Sequence, residues 1–572
     1  MWLRETLIAL FVVSGVINIL ALTGSFYMLQ IYDRALTSRS IETLIAISAL
    51  AIGLYLFQGI LDITRSQVLV RMAARVDDRL APAAHRVAMD MPRYGYSATE
   101  AIERARDVDT IRHFIAGQGP IALLDLPWMP LYLIFIYMLH PMLAFIVLGG
   151  GVILALLTLL TEISTRQHSS AMHKAAAERA SILDANVRNV EVIRTMGFLG
   201  RSVQRFDDIN RKHLALQLRT SDIGGTYSGI AKVLRMILQS AILGLGAYYT
   251  IKGELSAGSI IAASVASARA LAPVDMVIGQ WKGFVAARRS LKRLKDLMAV
   301  LEGDAARVSL PKPRNTLKVD KITVAAPGAG VVVLSDVSFE LTSGQALGLI
   351  GPSASGKSSV ARAIMGAWPL ARGAVRLDGA DISQWDADQL GGELGYLPQE
   401  VSLMDGTIAQ NICRFDPNVD SEAIIAAATT AGVHEMILRL PDGYETAIGA
   451  NGASLSAGQR QRLALARALY GNPFLVVLDE PNSNLDAEGE AALAEAIQVM
   501  RMLGSIVVVI AHRPSVLAAV DMVGIMQGGR LTAFGPKDEV LGQHVKTSRH
   551  GVMQGEKGTS NQGEQRWANR RS

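Results

Sequence analysis

Cysteine is almost missing from this chain: Cys413 stands alone among 572 residues. No intrachain disulfide framework is possible, and the lone thiol reads as a small buried hydrophobe in a reducing compartment. Charge is scarce as well. Only 19% of residues are charged and 6% aromatic, while 50% are hydrophobic; soluble domains carry about 25% charged residues. The mean hydropathy of +0.28 therefore points to a membrane protein. No strong charge bias is present. The net charge of +5 is small for this length and gives no argument for nucleic acid. Basic residues on the cytoplasmic side of a membrane explain it. The chain is also too long for one compact domain.

A cleavable signal is lacking too. The apolar run Thr6 to Tyr32 is longer than the roughly 7–15-residue core of a signal peptide and has no clear cleavage site. It reads as a retained membrane helix. Six segments approach the roughly 20 apolar residues that span a bilayer: 7–27, 44–61, 121–139, 142–160, 233–250 and 259–278. They pair as three hairpins. Two long polar stretches, 62–119 and 162–228, keep helical spacing and read as extensions of the membrane helices. Their arginines, among them Arg65, Arg71, Arg75, Arg79, Arg188, Arg194 and Arg205, place them and both termini in the cytoplasm. The link 33–42 then lies outside.

The expected organisation is an all-α membrane domain over 1–300, a linker over 301–316 containing Pro311-Lys312-Pro313-Arg314, an α/β domain over 317–541, and a disordered tail over 542–572. No short-period repeat is visible.

The soluble part opens with Gly351, Pro352, Ser353, Ala354, Ser355, Gly356, Lys357, Ser358 and Ser359. This is the phosphate-loop pattern: glycines let backbone N–H groups wrap a phosphate, and Lys357 brings positive charge. Alone it says only "nucleotide". Downstream, the apolar strand Leu475 to Leu478 ends in Asp479-Glu480. Asp479 and the Ser358 hydroxyl suit Mg²⁺, and Glu480 suits a general base that polarises water. The alternative for the carboxylates is a strand end that happens to be acidic.

Between them lies Leu455-Ser456-Ala457-Gly458-Gln459. It resembles the LSGGQ signature of ABC ATPases, with Ala457 in place of the first glycine. A Ser hydroxyl, a Gly N–H and a helix N-terminus together make an anion site. The order and spacing are those of the family, about 100 residues after the phosphate loop and about 20 before the acidic strand. The resemblance implies that Ser456, Gly458 and Gln459 close over the phosphate loop of a second subunit. It makes Gln399 of Tyr396-Leu397-Pro398-Gln399 the glutamine that contacts Mg²⁺ and water. It makes Ser483-Asn484-Leu485-Asp486 the D-loop and His512 the γ-phosphate switch. Without the resemblance, His512 would read as an ordinary structural histidine. Two departures stand out. The family's adenine-stacking aromatic is replaced by Ala325-Ala326-Pro327-Gly328, and the glutamate often found before the signature by Ala450, with Asn451 a candidate for its coupling role.

The membrane half narrows the likeness. Ser25 to Arg34 (SFYMLQIYDR) with Ser38-Arg39-Ser40, and Asp125-Leu126-Pro127-Trp128-Met129-Pro130, resemble the PrtD-type permease/ATPases of bacterial type I secretion. That resemblance implies a half-transporter working as a homodimer in the bacterial inner membrane, surrounded by lipid, with its ATPase domain cytoplasmic and ATP and Mg²⁺ as cofactors. Its partners would be a periplasmic membrane-fusion adaptor and an outer-membrane channel. Its cargo would be unfolded proteins with a C-terminal secretion signal, such as proteases, lipases or repeat-in-toxin proteins. No peptidase-like domain precedes Thr6, unlike the leader-cleaving exporters. The alternatives are an ABC exporter of lipid or small molecules and a non-transporting ATP-binding regulator; the latter predicts loss of Glu480 or His512, and both are present. The spans exclude a soluble ATPase of DNA repair. Asp125 and Arg235 stand near span ends, where they are either functional intramembrane charges or a helix cap and a snorkelling cation.

Overall fold

The computed structural model describes residues 2–301, 310–449, 452, 454–511 and 514–542. His512, Ala450, Asn451 and the tail from 543 onward lie outside the described residues. The chain divides into two compact units, Met1–Met89 with Ala98–Val300, and Asp90–Ser97 with Leu301–Ser572. The eight residues 90–97 thus belong with the soluble unit, which hydropathy could not reveal.

The first unit is helical. Its main elements are α1 (Trp2–Ala21), α2 (Thr23–Gln30), α3 (Ile41–Asp90), α4 (Gln118–Asp125), α5 (Met129–Leu139), α6 (Pro141–Arg188), α7 (Leu199–Ile251) and α8 (Ala257–Leu301). Among the described residues, six helices are long and apolar enough to cross a membrane. At 1.5 Å rise per residue, the 50 residues of α3 and 53 of α7 far exceed what a bilayer needs. Much of both polar stretches therefore continues the same helices, while 91–117 and 189–198 break into turns and short helices. The link expected over 33–42 is mostly helical: a π-turn covers Ile31–Ala35, and only Arg39, left-handed at φ 52°, breaks the chain before α3. Asp33 on that π-turn accepts hydrogen bonds from Ser256 Oγ and the Gly258 N–H at the start of α8. One conspicuous part of the SFYMLQIYDR stretch is thereby a helix cap.

Apolar side chains face outward here: Ile45, Leu56, Ile134 and Leu156 are all more than half exposed, as lipid contact requires. Polar groups turn inward. Arg65, only 6% exposed, donates from Nη1 to Asp125 at 2.7 Å and to Ser14 Oγ at 3.0 Å, and from Nη2 to Asp62 at 2.8 Å. Asn18 donates to Asp125 at 3.0 Å, and the Tyr132 hydroxyl donates to Asn18. Asp125 is therefore no helix cap. Arg65 is no free cytoplasmic cation. Together they tie α1, α3, α4 and α5. Arg235 likewise pairs with Asp275 of α8 at 2.6 Å, so it does not snorkel unpartnered.

The soluble unit is α/β. Its strands are β1 (Thr316–Ala325), β2 (Val332–Thr342), β3 (Ala346–Ile350), β4 (Arg372–Leu377), β5 (Ala380–Asp381), β6 (Leu394–Leu397), β7 (Leu475–Asp479), β8 (Ile506–Ile510), β9 (Met522–Gln527) and β10 (Arg530–Pro536). One sheet has the order β2-β1-β4-β5 and is antiparallel. The other has the order β10-β9-β3-β8-β7-β6, parallel except for its β10 edge. The continuous Val/Ile/Leu runs of β3, β7 and β8 are buried from end to end, except for half-buried Ile350, as strands covered on both faces demand. Cys413 is buried and free, in the hydrophobic role its isolation implied.

Candidate functional site

The C-terminal ends of β3 and β7 lie on either side of β8 in the parallel sheet. Ligands of open α/β sheets bind at such ends. From β3 the chain enters the phosphate loop and then α9 (Lys357–Ile364). Gly356 precedes the helix at φ 97°; a Cβ there would come within 2.8 Å of Leu334 and 3.2 Å of the Val333 carbonyl. Only glycine allows the loop to lie this close to β2. Ala354 also sits left-handed, at φ 62°, a strain typical of functional loops.

The loop has unspent bonding capacity. Lys357, 5% exposed, donates only to the carbonyls of Gly351 and Pro352, each at 2.9 Å. Ser358 donates to Asp479 Oδ1 at 3.0 Å, while Asp479 Oδ2 and Ser355 Oγ are buried with no partner among the described residues. Buried polar atoms without partners are rare and costly. Here they converge where an anion and its cation would bind. Burial pulls the Lys357 pKa below the ordinary lysine value, against the pull of Glu480 and Asp479. Burial raises the Asp479 pKa, and the Glu480 charge adds to it, against Ser358, Arg362 and Lys357. Both charged forms are disfavoured until a counter-charge arrives.

Glu480 follows directly, left-handed at φ 50°. Its N–H donates to Ile510 at the end of β8, and its carboxylate accepts from Gln399 Nε2 at 3.2 Å. The structure thus brings Gln399, Glu480, Asp479, Ser358 and Lys357 into one linked cluster. His512 would follow β8 two residues beyond Ile510 but is outside the described residues.

The signature is placed differently. Ser456 caps α10 (Ala457–Leu469): its Oγ accepts from the Gln459 N–H, and Gln459 Oε1 accepts from the Ser456 N–H. Ser456 and Gln459 thereby form a reciprocal capping box. A Cβ on Gly458 would come within 2.9 Å of the Asn484 carbonyl, so the signature packs against the D-loop.

One residue carried no expectation. Gln461, 3% exposed, donates from Nε2 to the Glu480 and Pro481 carbonyls and accepts from the Asn484 N–H. It fixes the backbone on both sides of the D-loop entry. A buried amide in the first turns of a helix is its only trace in the sequence.

The sequence matches the ABC transporter family over residues 334–483 and the ABC transporter transmembrane region over 7–273. It is 52% identical, over 95% of this chain and 93% of the relative, to the type I secretion system ATP-binding protein PrsD of Rhizobium meliloti (strain 1021). The chain belongs to the ABC transporters. More distant relatives within this family include the leukotoxin translocation ATP-binding protein LktB of Mannheimia haemolytica, 27% identical over 94% of this chain and 76% of the relative. The toxin RTX-I translocation ATP-binding protein of Actinobacillus pleuropneumoniae matches equally well, at 27% over the same shares. A bacterial Atm1-family ABC exporter, solved with ATP bound, shares the fold: TM-score 0.80 at 21% identity, over 95% of this chain and 96% of that one. This ABC transporter is accordingly a multi-pass membrane protein whose α/β unit hydrolyses ATP to drive transport.

Proposed function

We propose that this chain is the permease/ATPase of a type I secretion system. It would export unfolded proteins carrying a C-terminal signal across the bacterial inner membrane. The observation that carries this reading is the 52% identity to a type I secretion ATP-binding protein over nearly the full length of both chains. The partners are a periplasmic adaptor and an outer-membrane channel, and the ATPase unit faces the cytoplasm. Two copies act together, so that Ser456 and Gly458 of one face Lys357 and Ser358 of the other.

The site's chemistry supports turnover. The loop backbone from Gly351 to Ser359 and the Lys357 ammonium hold the phosphates. Ser358, Asp479 and Gln399 would hold Mg²⁺, and the Asp479 Oδ2 that has no partner among the described residues suits that role. Bound Mg²⁺ supplies charge neutralisation of the phosphates. Glu480 takes a proton from the attacking water, held in position by Gln399. His512 takes the γ-phosphate contact.

Glu480→Gln is expected to abolish ATP turnover while keeping ATP binding, and Lys357→Ala to lose both, along with secretion. Turnover of Glu480→Gln near the wild-type rate would sink the base assignment. Deleting the gene and cataloguing the secreted proteins tests the cargo class.

The alternative, export of a lipid or small molecule, has one observation in its favour. An apolar cavity of about 410 Å³ in the membrane unit is lined by Leu126, Met129, Val152, Leu159, Val277 and Trp281, among others. Co-purification with an adaptor and channel decides against that reading; ATPase stimulation by lipid alone decides for it.

A further inference from the structure

The phosphate loop accounts for the triphosphate but not for the base. A purine is ordinarily held by an aromatic face, and the β1–β2 turn, which follows Ala325 and runs from Ala326 to Val331, contains no aromatic residue. That turn closes through the Ala326 N–H to the Val331 carbonyl at 2.8 Å. Methyl groups have no π-face.

Another segment of the same unit lies on this turn. Gly95, left-handed at φ 90°, sits so close to it that a Cβ would collide with the Gly328 backbone nitrogen and Cα. From the other side, a Cβ on Gly328 would come within 2.8 Å of the Gly95 carbonyl. The two backbones touch. Two residues earlier, Arg93 donates from Nη2 to the Gly366 carbonyl at 2.9 Å, just past the end of α9. The segment 90–97 is thus anchored at the end of the phosphate-loop helix and at the β1–β2 turn.

Gly95 is flanked by Tyr94 and Tyr96. They are 41% and 45% exposed, and among the described residues neither hydroxyl forms a hydrogen bond. An exposed pair of unbonded tyrosines on a glycine-fixed turn is poor material for a core and good material for stacking.

We propose that Tyr94 and Tyr96 supply the aromatic surface on which the nucleotide base stacks, replacing the aromatic that the β1–β2 turn lacks. The inference rests on the ATP-binding reading above and adds the base-binding residues to it. Stacking tolerates any base and is strong enough to shift affinity about tenfold for one stacked base.

The test uses the full chain in detergent, with ADP and inorganic pyrophosphate as probes and calorimetric dissociation constants as the readout. In the wild type, ADP binds tighter than pyrophosphate. The double variant Tyr94→Ala/Tyr96→Ala is expected to lose about tenfold in ADP affinity while its pyrophosphate affinity stays unchanged. Tyr94→Phe/Tyr96→Phe restores ADP binding, and the single alanine variants show which ring carries the stack. Retention of ADP affinity within about twofold in the double alanine variant overturns the proposal. A parallel loss of ADP and pyrophosphate affinity overturns it too, since it marks a purely structural role. A wild type that binds neither probe sinks the nucleotide reading itself, a distinct result.

Discussion

The Arg65–Asp125 pair of the membrane unit and the phosphate-loop site of the soluble unit treat buried charge in different ways. In the membrane unit, Arg65 and Asp125 are held by each other and by Ser14, Asn18 and Asp62, and only Arg65 Nε of the guanidinium is left without a partner among the described residues. In the soluble unit, among the described residues, Lys357 finds only backbone carbonyls, and one oxygen of Asp479 finds nothing. A satisfied buried charge is structural, because its partners are already spent. An unsatisfied one is a place kept for something else, and its cost is carried by the rest of the fold.

The largest expected effect lies on the satisfied side. Asp125→Asn removes the more buried of the two carboxylates on a buried guanidinium and leaves Asp62, and breaking a buried pair costs about 3–5 kcal/mol. Thermal unfolding of the full-length protein should show the loss. The double variant Arg65→Met/Asp125→Leu should recover most of it, since no stranded charge remains. An Asp125→Asn midpoint equal to wild type would break the comparison.

Arg414 has no countercharge among the described residues, but unlike Lys357 it spends every guanidinium nitrogen on a carbonyl, so it should behave structurally as Arg65 does. Its guanidinium donates to the carbonyls of Gly391, Leu394, Arg467, Ala468 and Tyr470. Arg414→Ala strands those acceptors, and a loss of about 3 kcal/mol is expected. Denaturant unfolding of the whole protein measures it; a loss below about 1 kcal/mol would mean that water takes over the carbonyls.

The smallest effect has the opposite sign. The Asp479 pKa is raised in the folded state, by burial first and by Glu480 second, against the Ser358 hydrogen bond. Between the ordinary carboxylate value and the raised one, the folded protein binds more protons than the unfolded chain. Nucleotide-free stability therefore falls as pH rises through that window. Asp479→Asn should unfold at a higher temperature than wild type at neutral pH, and the gap should close below the ordinary carboxylate range. The same variant should lose ATPase activity. A lower neutral-pH midpoint would show that Asp479 is structural after all.

What the sequence made legible follows from how each signal is written. The six spans are written in consecutive residues. The phosphate loop, acidic strand end and signature are short motifs in a fixed order. All could be read locally. The Arg65–Asp125 pair is not visible in the sequence because its members lie 60 residues apart, and a partner at that distance leaves no local trace. The segment 90–97 looked like any stretch of polar helix. What assigns it to the soluble unit is the contact of two glycine backbones, and glycine is silent in hydropathy. Gln461 and Arg414 were passed over for a related reason. Their partners are main-chain atoms, which every residue has.

The distance between Arg65 and Asp125 also bears on the order of synthesis. A ribosome adding about 5–20 residues per second needs about 3–12 s to travel from one to the other. Throughout that interval Arg65 has Ser14 and Asp62 as acceptors but not yet Asp125. The second span must wait with its charged end in contact with water or with the insertion machinery. It can settle only when the third span arrives, so the two enter as one delivery.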